Sequence, residues 1–149
     1  MNPPLLLLDP TDCVECDLCS LACSLAKTGL ADVKVARIHS VKQWPDYPVI
    51  NVCHHWRCEG QPCIAACPTQ AIELRGGVLA IDPSVCNGCG ECVPACPYGA
   101  IRIDEMEWHA QACDLCGGAP ACVPACPTDA LIFEAGPEQS RRGDRHANQ

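Results

Sequence analysis

The stretch Cys86-Asn87-Gly88-Cys89-Gly90-Glu91-Cys92-Val93-Pro94-Ala95-Cys96-Pro97 sets four cysteines at C-x2-C-x2-C-x3-C spacing and stops on a proline. Three thiols this close in sequence converge on one small centre, while the fourth is carried by a helical turn to a neighbouring one. Pro97 ends that turn because it has no N–H with which to continue it. Zinc is held by four ligands set as two separated C-x2-C knuckles, and a run of three does not suit it. The spacing therefore points to thiolate ligation of iron–sulfur cubanes.

Working outward, Cys13, Cys16, Cys19 and Cys23 repeat the same spacing, with Ser24 where the other runs have proline. Cys53, Cys58, Cys63 and Cys67 form a looser run, closed by Pro68 and opened by a C-x4-C gap holding His54-His55-Trp56-Arg57. In the fourth run, Cys113, Cys116, Cys122 and Cys126, a Gly117-Gly118-Ala119-Pro120 loop widens the middle gap. All 16 cysteines fall into four sets of four. None is left over, so four [4Fe–4S] clusters are expected.

A disulfide framework needs an oxidising compartment. No basic residue precedes the apolar run at residues 5–8, and Asp9-Pro10 cuts it short of a signal segment. With no twin arginine there and no apolar stretch of about 18–20 residues, the expectation is a soluble, cytoplasmic chain without a membrane anchor. Thiols stay reduced in that setting and available to metal. Apolar residues make up 48% of the 149, but the cysteines inflate that figure and aromatics supply only 4%. Such a core leans on metal–ligand bonds for folding, so the metal-free chain is expected to be unfolded or molten. The formal net charge is −8 with neutral thiols. Each oxidised cubane with its thiolates adds about two negative charges, which for four clusters doubles the total. Nucleic acid is excluded as a partner, and positively charged protein faces are favoured.

Three segments align without gaps: Cys67-Pro68-Thr69-Gln70-Ala71-Ile72-Glu73-Leu74, Cys96-Pro97-Tyr98-Gly99-Ala100-Ile101-Arg102-Ile103 and Cys126-Pro127-Thr128-Asp129-Ala130-Leu131-Ile132-Phe133. Each reads as a cysteine, a helix-stopping proline and a short apolar strand. Leu5-Leu6-Leu7-Leu8-Asp9-Pro10 before Cys13 mirrors Val78-Leu79-Ala80-Ile81-Asp82-Pro83 before Cys86, so the leucine run reads as a strand feeding a cluster loop. Arg75-Gly76-Gly77 predicts a tight turn between two strands. Residues 33–41 and 47–52 are read as further strands, and the polar residues 136–149, with Arg141, Arg142 and Arg145, as a flexible tail.

With these runs in view, the chain resembles the four-cluster ferredoxin-type subunits that accompany molybdenum and tungsten enzymes, hydrogenases and carbon monoxide dehydrogenase. The likeness is carried best by Cys58-Glu59-Gly60-Gln61-Pro62-Cys63-Ile64-Ala65-Ala66-Cys67-Pro68 and by the fourth run through Cys126-Pro127. It extends to about Ala135. Among such subunits, the chain most resembles the small polyferredoxin subunit of tungsten-dependent aldehyde oxidoreductases. The resemblance implies an α+β fold of tandem bacterial-ferredoxin-like modules, each with two [4Fe–4S] clusters, built from short β-hairpins, short helices and long cluster-binding loops. An inner module spans about residues 45–104; an outer one combines 1–44 with 105–135. The extra residues between Cys53 and Cys58, and Ser24 in place of proline, depart from the pattern in loop geometry but not in ligand number.

The short connection between the second and third runs suggests crossed fourth ligands, as in two-cluster ferredoxins. One cluster then takes Cys53, Cys58, Cys63 and Cys96, and another Cys86, Cys89, Cys92 and Cys67. The first and fourth runs pair around the outside: Cys13, Cys16, Cys19 and Cys126 for one cluster, Cys113, Cys116, Cys122 and Cys23 for the other. The resemblance implies the same nesting. Serial pairing, first run with second and third with fourth, stays open on the spacing alone.

No nucleophile–base pair, phosphate loop or paired carboxylate stands out, and no catalysis is expected within the chain. His54 and His55 are read as loop residues beside a run already complete in cysteine. Tyr98, Trp44, Trp56 and Trp108 are read as packing residues. The expected role is an electron-transfer subunit between a catalytic tungsten or molybdenum oxidoreductase subunit and another redox partner, such as a flavin subunit. A freely diffusing polyferredoxin shuttle, a subunit of a hydrogenase, formate dehydrogenase or carbon monoxide dehydrogenase, and an iron–sulfur or zinc structural or sensor protein are the competing readings. A row of clusters reaching both surfaces also permits self-stacking into filaments.

Overall fold

The computed structural model describes residues 2–136. In chain order it holds β1 (Leu5–Leu8), α1 (Leu18–Thr28), β2 (His39–Val41), β3 (Val49–Asn51), α2 (Pro62–Ala66), β4 (Ile72–Arg75), β5 (Val78–Ile81), α3 (Cys92–Ala95), β6 (Arg102–Ile103), β7 (Ala110–Gln111), α4 (Cys122–Ala125) and β8 (Leu131–Glu134). Short 3-10 turns lie at Val33–Val35, His55–Arg57 and Leu115–Gly118. The strands pair antiparallel two by two: β1 with β8, β2 with β3, β4 with β5, β6 with β7.

The leucine run is a strand. Leu5 faces Glu134 and Leu8 faces Leu131, so the first described strand is tied to the last. Leu5 and Leu6 are buried there. Between β4 and β5 the register puts Arg75 opposite Val78, leaving Gly76 and Gly77 as a two-residue turn with φ of 57° and 82°. Positive φ at both positions is what a tight hairpin needs, and glycine adopts it without steric cost.

Helices α2, α3 and α4 stop at their cysteine because Pro68, Pro97 and Pro127 follow. After Cys23 there is no such stop. Ser24 is fully buried, donates to the Leu21 carbonyl at 2.9 Å and accepts from the Asp32 N–H at 3.2 Å. α1 therefore continues past Cys23 to Thr28, 11 residues in all, and ends at Gly29 in the left-handed region.

Two apolar cores result. One gathers Ile72, Leu79, Ala100, Ile101, Ala110 and Ala112 around Cys53, Cys63 and Cys92. The other gathers Leu6, Ala36, Ile38, Val52, Leu115 and Leu131 around Cys23 and Cys122. Cysteine is thus part of each core.

Several expectations need correcting. Of residues 33–41 only His39–Val41 is strand. Asp32 accepts the Lys34 N–H at 2.9 Å and winds Val33–Val35 into a 3-10 turn instead. The strand read at residues 47–52 is confined to Val49–Asn51. Trp44 and Trp108 are not packing residues, being 93% and 70% exposed. Trp44 sits in the loop between β2 and β3, away from both cores. Gly136 is buried, and the rest of the tail lies outside the described residues.

Candidate metal centres

All sixteen cysteines lie among the described residues and carry free thiols. Four cavities, each of about 270 to 340 Å³ with the open mouth included, are lined by four cysteines apiece. Cys13, Cys16, Cys19 and Cys126 line the first. Cys23, Cys113, Cys116 and Cys122 line the second. Cys53, Cys58, Cys63 and Cys96 line the third, and Cys67, Cys86, Cys89 and Cys92 the fourth. Each cavity takes three thiols from one run and its fourth from another.

The local fold explains how. Gln70, Gly99 and Asp129 stand three residues after Cys67, Cys96 and Cys126, with φ of 57°, 57° and 55°. This left-handed step turns the next N–H back toward the sulfur. Ala71 N–H donates to Cys67 Sγ at 3.3 Å and Ala100 N–H to Cys96 Sγ at 3.4 Å. Thr69 and Thr128 hydroxyls lie 3.6 and 3.7 Å from Cys67 and Cys126 Sγ. Burial would raise these two thiols, but the bonds from Thr69 and Ala71, and from Thr128, Ala130 and Leu131, hold both below the usual thiol range.

A second device recurs at run starts. The N–H two residues after Cys53 and after Cys113 bends back to the sulfur: His55 N–H at 3.3 Å, Leu115 N–H at 3.5 Å. Arg37 and Ala110 N–H groups reach Cys23 and Cys86 Sγ at 3.3 and 3.4 Å. At the deepest thiols burial outweighs such bonds. It pushes the Cys53, Cys113 and Cys122 thiols up to about 12. Cys92 rises to about 11, first through burial and then through Cys86, Cys89 and Cys67 around it.

Thiolates in such surroundings need a compensating positive charge. Four converging sulfurs per cavity is the ligand number of a cubane, whose iron supplies that charge. Among the described residues no three His, Cys, Asp or Glu side chains are arranged to hold a single metal ion; the thiols stand around cavities instead.

Sequence reading passed over several residues that shape these walls. Asp114 accepts from Lys27 at 2.8 Å and Arg37 at 2.9 Å, and caps the Cys116 N–H at 3.0 Å. Burial raises its carboxyl, yet these partners outweigh burial and hold it below the usual range. No spacing rule announces a side chain that reaches back 77 and 87 residues. His54 stacks on Tyr98 with ring centroids 3.8 Å apart. His55, read as a plain loop residue, is 1% exposed and lines the third cavity.

Among the described residues no helix is long and apolar enough to cross a membrane. A family model described as a 4Fe–4S dicluster domain matches residues 47–135, which hold the second, third and fourth cysteine runs. The protein is 36% identical over 112 residues to the polyferredoxin-like subunit of an aliphatic sulfonate oxidoreductase from Pyrococcus furiosus, covering 74% of this chain and 64% of that one. It is 34% identical over 121 residues to the B subunit of the anaerobic dimethyl sulfoxide reductase of Escherichia coli, covering 72% and 58%. A putative electron transport protein of Escherichia coli, YsaA, is 34% identical over 119 residues, covering 74% of each. The chain spans less than two thirds of the length of the first curated relatives it matches. Cysteine runs, thiol-lined cavities and relatives agree: the chain belongs to the 4Fe–4S dicluster domain family.

Proposed function

We propose that this chain is a cytoplasmic four-cluster subunit that relays single electrons between a catalytic oxidoreductase subunit and a second redox partner. The ligand sets are Cys13, Cys16, Cys19 and Cys126; Cys23, Cys113, Cys116 and Cys122; Cys53, Cys58, Cys63 and Cys96; and Cys67, Cys86, Cys89 and Cys92. The observation that carries this reading is the division of sixteen thiols among four cavities, four to each. Two apolar cores, which meet at Cys113, are in keeping with a tandem of two ferredoxin-like modules. Zinc is disfavoured because donors spread around a cavity suit a cubane better than one ion.

Two of the three junctions such a relay needs are supported by thiols of one cavity acting on those of the next. Cys113 raises the pKa of Cys53, and Cys19 that of Cys122, so thiols of neighbouring cavities feel one another. The path would run from the Cys67 cavity through those of Cys53 and Cys113 to that of Cys13. Cys89 and Cys16, at its two ends, are exposed. The protein's share of the chemistry is spacing, exclusion of water and N–H bonds to sulfur; the electron resides on the clusters.

For the catalytic partner we favour a tungsten or molybdenum oxidoreductase subunit, as the resemblance of the cysteine runs implies; that two relatives are named as parts of a sulfonate oxidoreductase and a dimethyl sulfoxide reductase supports an oxidoreductase partner. A flavin subunit is a fitting second partner. The test begins with anaerobic purification, which should give brown protein holding about sixteen irons, four per cubane. Cys13→Ser and Cys126→Ser should disturb one and the same paramagnetic signal, and Cys23→Ser and Cys113→Ser a different one. Serial pairing predicts other partnerships and would be recognised at once. Deleting the protein should leave dye-linked activity of the co-purifying enzyme and abolish turnover with its natural acceptor; unaffected natural turnover would sink the relay.

A further inference from the structure

His55 and Leu115 occupy the same backbone slot, two residues after the first cysteine of their runs. Both have positive φ, 50° and 54°. Both send the N–H to that cysteine's sulfur, and both are 1% exposed against a four-cysteine cavity. Leucine therefore satisfies every packing demand of the slot. What histidine adds is its ring nitrogens, and their bonding is settled on one side only. Nδ1 accepts the Leu79 N–H at 3.1 Å, on the edge of β5 that faces away from β4. An Nδ1 that accepts leaves the ring proton on Nε2. That Nε2 is buried and has no hydrogen-bond partner. A buried donor left unpaired is destabilising, and native structures seldom keep one without a use.

We infer that Nε2–H of His55 donates a hydrogen bond to sulfur of the cluster held by Cys53, Cys58, Cys63 and Cys96, making His55 a positioning residue that raises that cluster's potential. The inference rests on the ligand set proposed above. Because Nε2 carries the proton, the ring is not an iron ligand, and the four thiols keep that role. Reduction adds negative charge to the cluster, and a hydrogen bond to sulfur stabilises the more negative state. At the matching slot of the second cavity the Leu115 side chain offers no such donor.

The experiment is an anaerobic redox titration followed by EPR on the full chain. Cys58→Ser first identifies which signal belongs to this cavity. His55→Leu, which copies the Leu115 slot, should then lower the reduced-to-oxidised ratio of that signal about tenfold at fixed potential, a shift of about 59 mV for one electron. His55→Gln, which keeps a side-chain N–H, should recover part of it. An unchanged potential in a His55→Leu protein with full iron overturns the inference alone. If the wild-type protein holds no cluster that Cys58→Ser disturbs, the ligand set falls and the inference with it. Should His55→Leu fail to fold, wild-type protein labelled with ¹⁵N-histidine decides. Pulsed EPR of the reduced cluster should show coupling to a labelled ring nitrogen and to one exchangeable proton, and His55→Gln should abolish the nitrogen coupling. No such coupling in the wild type overturns the inference.

Discussion

Gln70, Gly99 and Asp129 share one backbone conformation although their side chains have nothing in common. The demand comes from the sulfur, since only a left-handed step there lets the following alanine N–H reach it. Gly99 meets it freely, and a Cβ at that position would stand 3.0 Å from Asn51 Nδ2. Gly99→Ala should therefore lose about 1–2 kcal/mol through the left-handed backbone alone, while Asp129→Gly should stay within about 0.5 kcal/mol. Thermal melts of the two holo variants check the contrast. Asp104 offers a second case. Its carboxylate accepts the Met106 and Glu107 N–H groups, both at 2.8 Å, and Gln111 Nε2 at 2.7 Å. The backbone bonds from Glu107 and Met106 hold its carboxyl below the usual carboxylate range. A depressed carboxyl contributes stability above its unfolded pKa and loses it as pH falls through the folded one. At neutral pH the contribution is whole, so Asp104→Ala should speed amide exchange at Met106 and Glu107, with a loss of about 1 kcal/mol.

At the scale of elements, the length of each helix is set by one residue after its last cysteine. Pro68, Pro97 and Pro127 stop α2, α3 and α4; Ser24 lets α1 continue. Ser24→Pro removes the N–H of residue 24, crowds the Ser20 carbonyl and discards two bonds made by the buried hydroxyl. The expected loss is about 3 kcal/mol or more, visible as reduced helical circular dichroism and earlier bleaching of cluster colour on heating. Much of this architecture was legible beforehand. The Cys-Pro repeats marked the helix stops, Gly76-Gly77 marked the hairpin, and the likeness of the leucine run to the segment before Cys86 marked it as a strand. What escaped was decided by contacts that no local pattern announces. The Asp32 cap remade residues 33–35, Trp44 and Trp108 lost their packing role to small cores built of alanine, leucine, isoleucine and cysteine, and Asp114 gained partners from α1 and the segment after it. His55 escaped for another reason: nothing in Cys-His-His-Trp-Arg-Cys distinguishes a solvated ring from one whose Nδ1 is claimed by a strand edge.

Taken whole, the described residues form four two-stranded sheets and four helices, three of the helices having five residues or fewer. Two-stranded pairs are marginal by themselves, and cysteines form part of both cores. Removing iron therefore takes out the centre of each core and leaves buried thiols without a counter-charge. Chelation under reducing conditions should collapse far-UV dichroism and expose dye-binding apolar surface, and reconstitution with iron and sulfide should restore both. Retention of native dichroism in metal-free protein would contradict this. The pairing of β1 with β8 carries a consequence for biosynthesis. Every residue around the Cys53 and Cys67 cavities has been polymerised once Ala110 is in the chain. The cavities of Cys13 and Cys23 stay incomplete until Leu131 and Cys122 are added. Completion of the cavities during synthesis thus has a built-in order, in which the middle of the polypeptide closes its own while the opening residues wait for strands and thiols made long after them.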